Sequence, residues 1–328
     1  MATPQLSPGV LIREVDLTVG RADNVLDNIG AICGPFEIGP VDEVTNISNE
    51  QDLINVFGEP KTADAQYEYW MSASSYLSYG GVLKVVRADD DDLKNANAGV
   101  GIASTTTLKI KNYDDYSNNY DTATDFYYAA KNPGSWSESL KICYIDDFAD
   151  QTLGITTTNL AGLGATVGMG ITAAVTGVLP GAGTTAVFTG YVKGIITGAT
   201  NDAGGASKLD VKIVSRVSST GTETRIDYAE GDGFSSFDTS DSVFFTSDTG
   251  GVTAAQTPTT VVDWYDQQTL GLTNATVYWS TLAPKPGTSI YVDDRQGHND
   301  QLHIAVVDDT GDVTGIKGNI LEKHTDLS

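Results

Sequence analysis

The chain has 328 residues and a formal charge of −24, from 43 acidic against 19 basic side chains. A field of that sign repels phosphate backbones and anionic lipid heads, so neither nucleic acid nor direct membrane insertion is expected. Three histidines and two distant cysteines, Cys33 and Cys143, form no zinc-ligand spacing, so no metal and no cofactor is expected. Both cysteines are expected as buried free thiols, with a single disulfide as the alternative. The opening Met1–Pro8 has neither the basic nor the apolar stretch of a secretory signal, which points to folding in a cytoplasm.

Residues 1–22 read as an N-terminal extended arm. Within it Val10, Leu11, Ile12, Arg13, Glu14, Val15, Asp16 and Leu17 form one strand, because their apolar positions fit no helical face and β-branched residues recur. A lone strand leaves its backbone groups unpaired unless a sheet receives it, its own or a neighbour's.

An α/β pattern follows. Residues 27–47 read as one or two strands around the Gly34-Pro35 and Gly39-Pro40 turns. Ser48, with Gln51 completing a capping box, opens a helix over 49–57 that stops at Gly58. A second helix over 64–79 carries Tyr67, Trp70, Met71, Ser74 and Leu77 on one face. Gly80-Gly81 ends it and Val82–Val86 is a strand, a helix-to-strand step of layered α/β domains. Asp89–Asp92 reads as a solvated linker.

Residues 96–150 are expected as a β-rich segment, with a turn at Ala129–Trp136 and a strand at Leu140–Ile145. Residues 151–256 read as an inserted Thr/Gly-rich β domain, a barrel or a sandwich. Gln151–Val192 carries no charge, yet 19 of those 42 residues are Thr or Gly and Pro180 interrupts them, so strands are expected there rather than a membrane span. In Lys208–Ile213 the alternation puts Leu209, Val211 and Ile213 on one face. From 257 the α/β character returns, with a helix over 260–269, a strand at Thr276–Trp279 and a turn at Pro284–Gly287. A hairpin pairs Leu302–Val307 with Val313–Ile316 around Asp308–Gly311, and no closing strand is expected after Gly318. The fold class is therefore mixed, α+β and α/β: a layered α/β core made of 23–95 and 257–328, incomplete at its C-terminus, with the β-rich insertion and the arm.

Catalytic chemistry finds little support. His298, His303 and His324 are the only histidines, no G-x-S-x-G elbow accompanies them, and His303 alternates with Leu302 and Ile304 as a strand packing or interface residue. Gly181–Thr185 lacks the ending of a phosphate loop. Neither Asp89–Asp92 nor the group Glu230, Asp232, Asp238 and Asp241 has the ligand spacing of a calcium loop. No catalytic residue is assigned, and the chain is not expected to be an enzyme.

Several segments resemble contractile phage tail sheath proteins, those of T4-like phages, cyanophages among them, most of all. Ser7–Val15 resembles their "SPGV-x-x-x-E" opening and Gly34–Pro40 their "G-x-x-x-x-GP" turn. Thr45–Gly58 is similar to the segment that enters their first helix. Tyr76–Arg87 resembles "F-L-x-x-G-G-x-x-x-V-V-R", and Ala130–Leu140 resembles "A-x-x-P-G-x-W-G-N-x-L", with Ser137-Glu138 in place of Gly-Asn. Lys285–Ser289 and Asn299–Gly311 add a later pair. The resemblance implies a subunit of a contractile virion tail, assembled in the host cytoplasm. It further implies hexameric rings of copies of itself around a tail tube protein, with baseplate and tail terminator proteins as further partners. Strand exchange through Val10–Leu17 would link the rings. The family continues into a C-terminal, tube-facing domain, where the edge receiving the arm is expected. The rival reading from composition is an extracellular β-rich adhesin or surface-layer protein.

Overall fold

The computed structural model describes residues 28–62, 65–98, 108–123, 126–179, 187–246 and 254–328; the arm strand expected over 10–17 lies outside them. The chain divides into two compact units, Met1–Ser137 and Glu138–Ser328.

The first unit is built on a three-stranded sheet of β1 (Ile29–Gly34), β2 (Thr45–Ile47) and β3 (Val82–Arg87), with β3 in the centre, parallel to β1 and antiparallel to β2. Two helices, α1 (Glu50–Phe57) and α2 (Gln66–Ser78), supply the apolar residues that cover it. Leu83, Val85 and Ile47 from the strands meet Leu53, Phe57, Trp70, Ala73 and Leu77 from the helices. Each of the buried Leu, Ile, Val and Phe side chains contributes roughly 1.5–3 kcal/mol of hydrophobic stabilisation. Strand period two puts Ile32 on this core and Cys33 on the opposite face. Cys33 is thus a free but exposed thiol, a correction to its expected burial.

The capping box is shifted by one residue from its expected place. Asn49, extended at φ −154, accepts the Asp52 N–H at 2.9 Å, and the Asp52 carboxylate accepts the Ser48 N–H at 3.3 Å. The helix ends at Gly58, whose φ of 79 only glycine adopts without strain, and the Trp70 indole N–H donates to the Gly58 carbonyl at 2.9 Å. The rest of the unit holds β4 (Asn97–Ala98) paired with β5 (Tyr128–Ala129), and α3 (Tyr113–Asn119) between them. The sequence gives no sign of α3 because none of its residues is buried, so it carries no apolar stripe.

The second unit contains a larger antiparallel sheet of β7 (Gln151–Ile155), β8 (Gly170–Val178), β9 (Val187–Thr200), β10 (Ser207–Ser218), β11 (Glu223–Arg225), β12 (Val243–Phe245) and β13 (Thr260–Asp263). Their order is β12-β8-β9-β10-β7-β13, with β11 on β10. The described strands leave β12 and β13 as separate edges, so the sheet is open and the barrel expectation is corrected. One face buries Leu153, Ile155, Ile171, Val192, Ile196, Leu209, Val211 and Phe245, following the expected alternation of Leu209, Val211 and Ile213. Uncharged Gln151–Val192 supplies β7, β8 and the start of β9, and no helix among the described residues is long and apolar enough to cross a membrane.

A second sheet of this unit has the order β15-β14-β6, from β6 (Leu140–Asp146), β14 (Leu302–Asp308) and β15 (Asn319–Leu327). Its core joins Cys143, Ile145, Ala305 and Val307 to Trp264, Tyr265, Leu270 and Trp279. Three expectations fail here. The helix over 260–269 is strand β13 and a tight turn, because Val261 and Val262 are β-branched and pair with Leu153 and Thr152 of β7. Thr276–Trp279 is reduced to one bridge, Tyr278 to Thr269. Val313–Ile316 lies in the loop, and the return strand is β15, whose side chains are half-buried or exposed and so show little apolar alternation.

Gly190 tests the closest approach in the large sheet. A Cβ there would lie 2.0 Å from the Val217 carbonyl oxygen, whereas one at Gly204 would meet only the Asp202 carboxylate at 3.8 Å. Gly190→Ala is expected to lower stability by ~2 kcal/mol or more, and Gly204→Ala to change it by less than ~1 kcal/mol in the stabilising direction. Urea unfolding of the two variants checks this.

Candidate functional site

Three of the family-like segments meet at Arg87, the last residue of β3. Its side chain is 2% exposed. Nε donates to the Phe36 carbonyl at 2.5 Å, Nη2 to Glu37 at 2.6 Å, and Nη1 to both Gly39 at 2.9 Å and Pro133 at 2.6 Å. A planar guanidinium carries five N–H donors in a fixed fork, so it can serve these four carbonyls from two separate turns, one more than the three N–H groups of a lysine could. The result ties Gly34–Pro40 and Ala130–Trp136 to the central strand. Burial lowers the Arg87 pKa to about 10, and Glu37 and Asp89 pull it back up; the group stays charged at neutral pH. Gly134 (φ 149) completes the joint, since a Cβ there would strike the Trp136 ring and the Glu37 carbonyl.

The acidic run beside it is only partly the solvated linker expected. Asp89 pairs with Lys109 at 2.6 Å and Lys111 at 2.7 Å, and these hydrogen bonds lower its pKa to about 2. Asn95, also buried, holds Ile110 from both sides of its amide and reaches the Ala130 carbonyl at 2.8 Å.

The later pair of family-like segments is joined in the second unit. Ser289 donates its N–H and hydroxyl to the two oxygens of Asp300, at 2.8 and 2.7 Å, and Gly287 N–H reaches Gln301 at 3.1 Å. His303 is fully buried. Its Nδ1 accepts the Asp326 N–H at 3.0 Å, which leaves Nε2 to donate to the Pro284 carbonyl at 2.8 Å. Lys285 bonds Asp150 at 2.5 Å and Asp147 at 2.9 Å, as Lys212 does at 2.9 and 2.5 Å. Burial pushes the Lys285 pKa down, but the two carboxylates outweigh it and hold the pKa above its ordinary value.

Asp308 is the mirror image of Arg87. It is fully buried at the end of β14, and one oxygen accepts the Ser139 hydroxyl and the Gly311 N–H at 3.0 Å. The other accepts the N–H groups of Val313 and Thr314, at 3.1 and 2.7 Å, and the Thr314 hydroxyl at 2.9 Å. Burial raises its pKa, but these donors, led by Ser139, more than offset that and leave it lowered. All of these arrangements orient turns. Among the described residues no group of three or more His, Cys, Asp or Glu side chains is placed to hold a metal ion.

No family model matches the chain. It is 37% identical over 110 residues, 33% of this chain and 16% of the relative, to the tail sheath protein of Enterobacteria phage T4. It is also 37% identical over 87 residues, 26% of the chain and 12% of the relative, to the tail sheath protein of Vibrio phage KVP40. Over these residues the chain is similar to phage tail sheath proteins. Such sheath proteins are structural virion components and not enzymes, in keeping with clusters that serve to hold turns. The similar segments span less than a fifth of either sheath relative.

None of the clusters was assigned from sequence. Arg87 stood inside a quoted motif, but a single arginine after an apolar strand gives no sign of burial. Two substitutions test the clusters. Arg87→Lys is expected to destabilise the first unit by ~3 kcal/mol, because carbonyls of both turns lose their donors. Asp308 has a folded pKa below its unfolded value of about 3.9, so its contribution is present above that pH and lost as pH falls through the folded value. Asp308→Asn should therefore lower stability at pH 7 by ~2–3 kcal/mol and flatten the acid limb below about pH 4, as read by thermal unfolding across pH.

Proposed function

We propose that this chain is part of a contractile tail sheath subunit, which polymerises in six-fold rings around a tail tube and contracts to drive the tube through the host envelope. The observation that carries the reading is the 37% identity over 110 residues to a phage tail sheath protein, together with the family-like segments in their family order. Contraction needs no covalent chemistry, since the work comes from the difference between two packings of the same subunits. Copies of the chain, the tail tube protein, and the baseplate and terminator proteins are its proposed partners, in the virion tail after assembly in the host cytoplasm.

The domain layout is part of this proposal: 23–95 with 257–328 as sheath core, 96–150 as the β-rich segment, and 151–256 as an insertion on the outer wall. The large sheet includes β7 at one end of that insertion and β13 just beyond the other. A deletion that respects it therefore removes 151–263 whole. The arm, Val10–Leu17, is proposed to add to a neighbour's sheet edge through main-chain hydrogen bonds, each worth a net ~1 kcal/mol.

Electron microscopy of the full-length protein is expected to reveal tubes or stacked rings, and dispersed monomers would count against the sheath reading. Removing residues 1–18 should abolish tubes. Tubes that still formed and contracted without them would refute strand exchange while leaving the family relationship intact.

A further inference from the structure

A cleft of about 490 Å³ lies in the first unit, between α3 and the residues that lead into β5. Tyr113 and Tyr116 of the helix line it together with Phe126, Tyr127 and the buried Ile110. Its volume is that of an ordinary ligand site. Tyr113 and Tyr127 are 72% and 70% exposed, and the Tyr113 and Tyr116 ring centroids are 6.5 Å apart. Among the described residues the hydroxyls of Tyr113, Tyr116 and Tyr127 have no hydrogen-bond partner, so they are free to donate to a ligand's carbonyls.

Charge narrows the choice of occupant. Among the described residues no carboxylate lines the cleft, and Lys131 is its one cationic group. A basic ligand would meet a like charge and no partner, and an acidic one would be opposed by the net −24 of the chain. An uncharged segment with prolines fits best. Aromatic-lined grooves take such segments, because proline lowers the entropy lost on ordering.

Two stretches outside the described residues carry proline. Residues 180–186 are tied at both ends by the pairing of Val178 with Val187. Thr3–Gly9 is tied at one end only, and it carries Pro4, Leu6 and Pro8 with no ionisable side chain. It directly precedes Val10–Leu17, the arm proposed to leave its own subunit, so it travels to the same neighbour. We propose that the cleft binds Thr3–Gly9 of a neighbouring copy, with the prolines against the Tyr113 and Tyr127 rings. The source of the segment rests on the strand-exchange reading; the chemistry of the cleft does not.

The test uses a peptide of residues 1–9, blocked at its N-terminus and carrying a fluorophore at its C-terminus. It is titrated with the whole chain and followed by fluorescence polarisation. Saturable binding is expected. Tyr113→Ala with Tyr127→Ala, at two exposed positions, should weaken it at least about tenfold. Pro4→Ala with Pro8→Ala in the peptide should do the same without touching the protein. No saturable binding, or equal binding by the peptide without prolines, would overturn the proposal. So would binding seen only after residues 1–18 are removed, since the chain's own segment would then be filling the cleft. Electron microscopy of the full-length protein keeps the two readings apart. Tubes from a protein that ignores the peptide would sink this inference and leave the sheath reading. Peptide binding without tubes would support the cleft's ligand and count against the sheath.

Discussion

A charge removed from water must be hydrogen-bonded from every side that water served, and the turns of this protein are arranged by that requirement. An unpaired guanidinium in the interior would cost several kcal/mol. Arg87 avoids this only if the carbonyls of Phe36, Glu37, Gly39 and Pro133 all point to one spot. The demand fixes the conformation of two turns far apart in sequence. The hydrophobic core does not do so, since Phe36 is the one residue of either turn buried in it. Dispersion and burial hold helices on strands without direction, whereas the guanidinium fork specifies where each carbonyl must sit.

The second unit applies the same constraint with the sign reversed. Asp308 gathers N–H groups and hydroxyls from the loop that follows it, so the β14–β15 connection closes around a carboxylate. Asp150 does likewise for the neighbouring elements, accepting the Ile213 N–H at 2.7 Å while bridging Lys212 and Lys285. Breaking one partner of such a cluster leaves the others buried and unpaired, so each behaves as a unit in mutation. A subunit proposed to change neighbours without unfolding needs loops that keep their shape under load, and centres of this kind provide it.

The legible part of the sequence was whatever announced itself by period or by backbone chemistry. The alternation of Leu209, Val211 and Ile213, the stop at Gly58 and the second helix could all be read, although on that helix's expected face Trp70 and Leu77 are buried while Tyr67 and Met71 are exposed. The failures share a cause. Helix α3 and strand β15 bury little, so their sequences carry no apolar rhythm, while Val261 and Val262 fall within the helix expected over 260–269 although their branching and their partner strand favour extension. Cys33 shows the limit of residue-type expectations, because its exposure depends on which face of β1 the helices cover. The charged centres were illegible for a different reason. Their partners lie tens of residues away, and most are main-chain groups that every sequence contains.

The excess of acid bears on how copies of the chain can associate. At a formal charge of −24, copies brought together repel one another over about 8–10 Å at ordinary ionic strength. Association of copies, as proposed for a sheath, must then rest on contacts that carry little charge: apolar burial, or main-chain hydrogen bonds between a strand and a neighbour's sheet edge.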